Sequence, residues 1–398
     1  MGRRESFSVS VQEHADPRWF RTVQVTPIEV TRIRAARAAF TCRRVPLVDP
    51  RYDWNGLALI SGPVRPRSGD IVLAEVTRLG HHRRIELRNG RRPYMREGDE
   101  IIVAYGDRYA PDQFESNIPL DLRLTNLSAG GGVAATVINR HSSTRRPTEI
   151  QPVGLLGRRN GTPLNLADFA LPVILPPSNR PPVIAVFGTS MNAGKTTAVA
   201  SLIEGLVAAG QSPGGTKVTG TGSGGDYWSM VDAGARTVLD FTDAGYASTY
   251  RLPIVVVEKI MAQLIDHLAS AGCSSIVVEV ADGIFQQETA ALLRSPIFKQ
   301  YVDGVIFAAG DAVGAVGGSE ALHRSGIPLL ALSGACTASP LAIREIAQNS
   351  PVPVLTKPEL SSAKAAEQLL RWAIENRWLK DNKPDVTATS RPAAVAQP

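Results

Sequence analysis

Lysine is absent from the first 194 residues of this 398-residue chain, where every basic residue is an arginine or a histidine. Cysteine is scarce as well. Cys42, Cys273 and Cys336 are far apart and odd in number. That excludes a disulfide framework and gives no zinc-ligand spacing, so a reducing cytoplasm is the expected setting. No apolar run approaches the roughly 20 residues of a membrane span. The opening MGRRESFSVSVQEHADPRWF lacks the apolar core of a secretory signal, so a soluble protein without membrane attachment is expected. Histidines give no Ser-His-Asp constellation. His81-His82, between Gly80 and Arg83, reads as an exposed turn, and His141 in NRHSSTRRPTE as a surface residue or part of an anion site. Cys336 in SGACTASP has no histidine partner in sight and reads as a small buried residue.

What is present is an ordinary globular composition, 43% hydrophobic and 20% charged, in a chain long enough for two cores. The net charge of +6 is unevenly spread. Residues 1–175 hold 26 arginines against 18 acidic residues, whereas residues 176–398 hold 17 lysines and arginines against 19 acidic residues. Codon usage accounts for the missing lysines; an electropositive face for an anionic partner is the other reading. The arginines are not interleaved with aromatics, so no nucleic-acid surface is expected.

The proline-rich LPVILPPSNRPP at 171–182 reads as a linker. Before it, GDIVLAEVTRLG, RRIELRNGRRPYM and GDEIIVAYG alternate apolar and polar residues between turn signals, with Asn89-Gly90 as a hairpin signal. These stretches predict a smaller, mainly β N-terminal domain over 1–170. Gly130, Gly131 and Gly132 would form a tight turn or open a helix. After the linker, near-continuous apolar runs (VIAVFG, GGTKVT, SSIVVEVADG, DGVIFAAG, IPLLALSG, VPVLTK) alternate with helical patterns. Strands buried on both faces look like this, and the alternation predicts an α/β domain with a mostly parallel sheet over 183–380. SSAKAAEQLLRWAIENRWLK reads as a closing amphipathic helix, and 381–398 as a disordered tail.

The most informative stretch is VIAVFGTSMNAGKTT, a strand running into a glycine turn and then a helix from about Lys195 to Ala209. It matches the phosphate-loop pattern G-x-x-x-x-G-K-[ST], but five residues rather than four separate Gly188 from Gly194. Backbone N–H groups of such a loop and of the following helix converge on anionic oxygens. The expected phosphate contacts are Gly188, Thr189, Ser190, Asn192, Ala193, Gly194, Lys195, Thr196 and Thr197. Lys195 would reach the β- and γ-phosphates and Thr196 would offer a hydroxyl to Mg²⁺.

With its longer spacing, GTSMNAGKTT resembles the loop of the dethiobiotin synthetase and cobyrinate amidase group of P-loop proteins, G-T-x-x-x-x-G-K-T. Lys217-Val218-Thr219-Gly220 resembles that group's K-P-V-x-[ST]-G, and Val277 to Gly283 resembles its V-V-E-G-A-G-G. GVIFAAGDAVGAVGGSEALHRSGIPLLALSG has the shape of the segment near its nucleotide base. The likeness covers roughly 183–356. TGTGSGGD followed by VLDFTDAG is also similar to an uncharacterised bacterial NTPase family in which a P-loop domain follows an unrelated N-terminal domain. The resemblance implies Glu279 as a metal ligand, Lys217 facing the substrate or the transferred phosphate, and sites that assemble across a homodimer. Asp226 is either a second metal carboxylate or a helix cap, and Asp282 a turn residue or a further ligand. Val280 and Asp282 replace two of the group's glycines, and the base-side lysine and asparagine are missing, with Ala312, Gly317 and Gly334 standing there. ATP versus GTP is therefore left open, as is the substrate.

These residues lead to an expected ATP-dependent, Mg²⁺-requiring enzyme, ligase-like or an NTP hydrolase. It would activate a small carboxylate by phosphoryl transfer, with Lys195, Lys217 and Glu279 as catalytic groups and Thr196, Asp226 and Glu279 on the metal. The alternatives are a nucleotide-binding switch or chaperone acting on a macromolecular partner, and a phosphate-loop acyltransferase.

Overall fold

The two hydrophobic periodicities on either side of the proline-rich segment build two different sheets. The computed structural model describes residues 22–47 and 56–381. Residues 382–398, within the tail expected to be disordered, lie outside the described residues.

Among the described residues the first sheet has ten strands: β1 (Gln24–Pro27), β2 (Arg37–Ala38), β3 (Leu57–Ser61), β4 (Ile71–Arg78), β5 (Glu100–Tyr105), β6 (Arg108–Tyr109), β7 (Phe114–Asn117), β8 (Thr125–Ala129), β9 (Val133–Arg140) and β10 (Thr148–Arg158). Their main order is β1-β3-β10-β4-β5-β9-β7-β6, antiparallel except where β5 pairs with β2 and β9. Alternation decides what covers the sheet. Ile71 and Leu73 of β4, with Ile102 and Ala104 of β5, enter one apolar cluster, while Val72, Ala74, Ile101 and Val103 enter another. Successive side chains of a strand point to opposite faces, so both faces of this sheet are packed. Gly130 to Gly132 form the turn between β8 and β9, which settles the two expectations for that triplet in favour of the turn. Asn89-Gly90 also lies in a tight turn, closed by Leu87 N–H to Arg91 O at 2.8 Å, but its flanks make only isolated bridges and no regular hairpin ladder.

The second sheet has six parallel strands: β11 (Val183–Gly188), β12 (Pro213–Lys217), β13 (Thr237–Asp240), β14 (Ser275–Glu279), β15 (Gly304–Ala308) and β16 (Leu329–Ser333), in the order β13-β12-β14-β11-β15-β16. Val183, Ala185 and Phe187 of β11 pack with residues of helix α4 (Ile254–Ser270), whereas Ile184 and Val186 pack with α2 (Lys195–Ala208) and α10 (Ala363–Asp381). Helices on both faces are what near-continuous apolar strands require. The closing helix expected from the sequence is α10.

The segment 171–182 is held at both ends. Gln263 Nε2 donates to Leu171 O at 2.6 Å, and Arg377 donates to Arg180 O and Pro181 O at 2.6 and 2.7 Å. Between these points Val173 and Leu175 are each 90% exposed.

The two sheets are joined by a largely buried ionic contact. Arg43 pairs with Asp240 at 3.1 Å and with Asp243, and its guanidinium lies 4.6 Å from the Phe40 ring centre and 4.7 Å from that of Tyr227. The faint motif VLDFTDAG thus supplies the carboxylates of the junction. Close backbone approach seals it. A Cβ on Gly131 would overlap the Gly222 carbonyl, so no larger residue fits without moving the halves apart.

Candidate phosphate-binding site

Strand β11 is buried throughout and lies between β14 and β15. Its carboxyl end therefore opens beside those of two neighbours, where open parallel sheets bind ligands. Loop 189–194 is pinned by its surroundings. Thr189 N–H donates to Ala308 O at 3.0 Å, and Ala193 O accepts from Ala335 N–H at 2.9 Å. Ser190 Oγ donates to Met191 O at 2.9 Å. Gly194 has φ +95°, and a Cβ there would stand 2.9 Å from Gly334 Cα and Ala335 N, so glycine is required. Asn192 also takes a left-handed φ of +62° and donates from Nδ2 to Asp112 Oδ2 of the first sheet's half at 2.6 Å.

Helix α2 begins at Lys195, and its first N–H groups face the loop without intrahelical partners. Lys195 is buried, with Nζ donating to Ser190 O at 2.7 Å. Burial pushes its pKa down, against the opposing pull of Glu279 and Asp282. Thr196 and Thr197 stand in the first turn, the latter exposed.

Adjacent strands bring the distant motifs together. Lys217 on β12 is paired in register with Glu279 on β14, and Glu279 with Val186 on β11. Asp226 comes from α3 (Gly224–Asp232). Ser223 holds the N-cap position of that helix, and the Asp226 carboxylate accepts instead from Thr196 Oγ1 at 2.6 Å and from Lys217 Nζ. The cap reading of Asp226 is thereby replaced by a contact with the loop. Thr196 Oγ1 also lies 3.4 Å from Glu279 Oε1, and Lys217 Nζ lies 3.8 Å from the same oxygen. Lys217, expected to face the substrate or the transferred phosphate, is an ion-pair partner of both carboxylates.

Two carboxylates in one buried site divide the protons unequally. Burial and the Asp226 charge raise the Glu279 pKa to about 7, despite both lysines. Burial also raises Asp226, but the Lys217 charge and hydrogen bond outweigh it and hold it below the usual carboxylate range. Glu279 is 2% exposed, and among the described residues its Oε2 has no hydrogen-bond partner. A buried carboxylate oxygen left unpaired is costly unless something else binds there.

A magnesium ion fits this donor set. Thr196 Oγ1 stands 2.6 and 3.4 Å from the two carboxylates, bracketing the separation of about 2.9 Å between adjacent ligands of an octahedral ion with 2.0–2.1 Å bonds. Among the described residues no group of three His, Cys, Asp or Glu side chains could hold a metal. The protein would thus supply two carboxylates and a hydroxyl, leaving the rest to water and phosphate, as Mg²⁺ prefers.

The site opens into a cavity of about 880 Å³ whose far wall belongs to the first sheet's half. Arg83, Arg84, Arg92 and Arg108 line that wall with His81, His82 and Tyr94. His82 is not in an exposed turn. It packs edge-on to Phe114 with ring centres 5.8 Å apart, and burial with the Arg108 charge pushes its pKa down to about 3. His141 is exposed and contacts Ser143 at 2.8 Å. Cys336 is buried, and burial raises its thiol, in keeping with a packing residue. Asp282, left as turn or ligand, sits at φ +64° in a bend and also lines the cavity. From the first half, Glu86 reaches across to accept from Gly224 N–H at 3.0 Å, holding the start of the helix that carries Asp226. Sequence reasoning missed Arg43, Glu86, Asp112 and the arginine wall. The arginine excess of residues 1–175 was the one signal for the arginines; Glu86 and Asp112 had none.

No known family profile matches the chain, and no curated protein matches it. Solved structures do. Signal recognition particle receptor FtsY from Elizabethkingia anophelis is 13% identical, over 49% of this chain and 66% of that one, with a TM-score of 0.35. Signal recognition particle 54 kDa protein from Aeropyrum pernix K1, in complex with GDP, is 19% identical over 52% and 48% of the two chains, with a TM-score of 0.34. Cell division protein FtsY from Thermotoga maritima is 15% identical over 52% and 74%, with a TM-score of 0.32. The match thus leaves about half of this chain uncovered. The phosphate-loop arrangement itself rests on the geometry of residues 183–333, and the likeness to dethiobiotin synthetases on the motifs alone.

Proposed function

We propose that this protein binds a Mg²⁺–nucleoside triphosphate at loop 188–197 and transfers its γ-phosphoryl group to a small acid held in the adjoining cavity. One observation carries the reading. The phosphate loop opens into a cleft shared with the first sheet's half, lined by four arginines, two lysines and three carboxylates. Lys195 would hold the β- and γ-phosphates, and Thr196, Asp226 and Glu279 the metal, which would neutralise charge on the phosphates. Lys217, released from Asp226 when that carboxylate turns to a cation, would offset the charge developing on the transferred group. In this reading residues 1–170 and 183–380 are two functional units and 171–182 their tether. The test is Lys195→Ala, which should abolish nucleotide turnover while leaving the fold intact, seen as a single cooperative thermal transition. Undiminished turnover by that variant would sink the assignment.

A nucleotide-driven switch is supported by different contacts. Asn192 of the loop touches Asp112, and Glu86 touches the start of α3. A phosphate that moves loop or helix would therefore pull on the first half and on whatever it binds. In that reading turnover responds to a macromolecule; in the first it responds to one small acid.

A further inference from the structure

Charge on the two sides of the cavity is distributed in opposite ways. The phosphate-loop side supplies Lys195 and Lys217 together with all three carboxylates, Asp226, Glu279 and Asp282. Among the described residues, the first sheet's half supplies four arginines and no carboxylate to the lining. Arg92 comes 3.8 Å from Glu86, but among the described residues no carboxylate is within ion-pair distance of Arg83, Arg84 or Arg108. Arg84 instead lies 4.1 Å from the ring centre of Tyr94.

Arg108 is the telling case, at 6% exposure. Its guanidinium donates to Ser128 O and, at 2.8 Å, to Gln113 Oε1, and Nη1 lies 3.3 Å from His82 Nε2, all uncharged partners; among the described residues its Nε has no hydrogen-bond partner. Burial lowers its pKa to about 10, and Asp282 acts on it only from beyond contact. A buried cation without a counter-ion is costly, and an anion in the cavity would remove much of that cost. The neighbouring histidine does not share the role, because His82 is held neutral. Phosphate oxygens of a nucleotide already have the loop, both lysines and a metal. A cavity of about 880 Å³ is near the upper end of the 300–1,000 Å³ that single ligand sites span, so it has room for a second molecule.

We propose that the arginine wall is an acceptor subsite, and that the acceptor is a small di-acid: one acid group meets the γ-phosphate and the other is held by Arg84 and Arg108. This rests on the phosphate-loop reading and adds the substrate class to it. Dicarboxylates and phosphorylated carboxylic acids share the required chemistry, since planar guanidinium groups bind both through paired charge-assisted hydrogen bonds.

The experiment is calorimetric titration of the full chain, preloaded with Mg²⁺ and a non-hydrolysable ATP analogue, with butyrate, succinate, phosphoglycolate and inorganic phosphate. At least one of the two di-acids should bind roughly tenfold or more tighter than butyrate. Succinate against phosphoglycolate separates the two kinds of second group. Arg84→Gln, at an exposed position, and Arg108→Lys, which keeps the charge, should each erase most of that preference and change analogue affinity less than about twofold. Two results would overturn the subsite: equal binding of butyrate and both di-acids, including no binding of any, or loss of analogue affinity in Arg84→Gln, which would give the arginines to the triphosphate. Failure of the wild-type protein to bind both this analogue and its GTP counterpart would instead refute the phosphate-loop reading, whatever the di-acids do.

Discussion

The two walls of the cavity differ in how their residues are brought together. On the phosphate-loop side every group sits at or just beyond the end of a parallel strand, or in the first turn of the helix that follows. A strand, its loop and its helix are continuous in sequence, so Lys195, Thr196, Lys217 and Glu279 travel inside short motifs. On the arginine side, residues 81–84, 92–94 and 108–113 come from separate turns and short strands of an antiparallel sheet. No motif links them, and their alignment exists only after β6, β8 and the turn at Asn89-Gly90 have folded. The first wall is built by local chain geometry and the second by tertiary packing.

The comparison can be broken where the halves meet. Arg43 is the buried cation between Asp240 and Asp243. Arg43→Ala leaves Asp240 without its cation and Asp243 with Arg44 at 3.7 Å, and should destabilise the protein by about 3–5 kcal/mol. Urea unfolding measures this, and a triple variant with Asp240→Asn and Asp243→Asn should recover most of the loss. A cost under about 1 kcal/mol would mean the junction does not need the pair. Gly131→Val tests close approach without charge. Overlap with Gly222 should cost about 1–3 kcal/mol, and it should weaken di-acid binding more than nucleotide binding, because the arginine wall must retreat.

Titration of Glu279 sharpens the loop side. With its pKa raised to about 7, the folded protein favours the protonated form. The stabilisation this gives is complete below the ordinary carboxylate range and is lost as pH rises through about 7. Melting temperature relative to Glu279→Gln should therefore fall between pH 5 and 8. Mg²⁺ affinity should run the other way, rising as the carboxylate deprotonates, and should be flat with pH in the Gln variant. A pH-independent difference between wild type and variant would show that the carboxylate is not buried as described. The smallest effect belongs to the exposed contact between loop and wall: Asp112→Ala removes one hydrogen bond to Asn192, worth about 0.5–1.5 kcal/mol in a melt.

Particular residues show where sequence reading stopped. The strand–loop–helix at 183–208, the buried strand ending in Glu279 and the closing helix were all legible, because hydrophobic period and glycine placement are local. Asp226 was ambiguous since a carboxylate in a first helical turn suits a cap as well as a ligand; only the positions of Ser223 and Thr196 separate the two. Lys217 was legible as a site residue but not as the ion-pair partner of Asp226 and Glu279, a pairing that strand order decides. His82 was misread because its burial comes from Phe114 and Arg108, some 30 residues away in the chain. The arginine excess was visible from the start, yet composition carries no direction, and only the fold turns those side chains toward the loop.

In the proposed reading one cavity serves a triphosphate on the lysine side and an acid on the arginine side. A crystal structure with Mg²⁺ and a non-hydrolysable ATP analogue tests it most directly. The expected result places the γ-phosphate at Lys195, a metal among Thr196, Asp226 and Glu279, Lys217 displaced from Asp226, and the arginine wall clear of the nucleotide. A triphosphate bound away from loop 188–197, or one whose phosphates lie against Arg84 and Arg108, would contradict it.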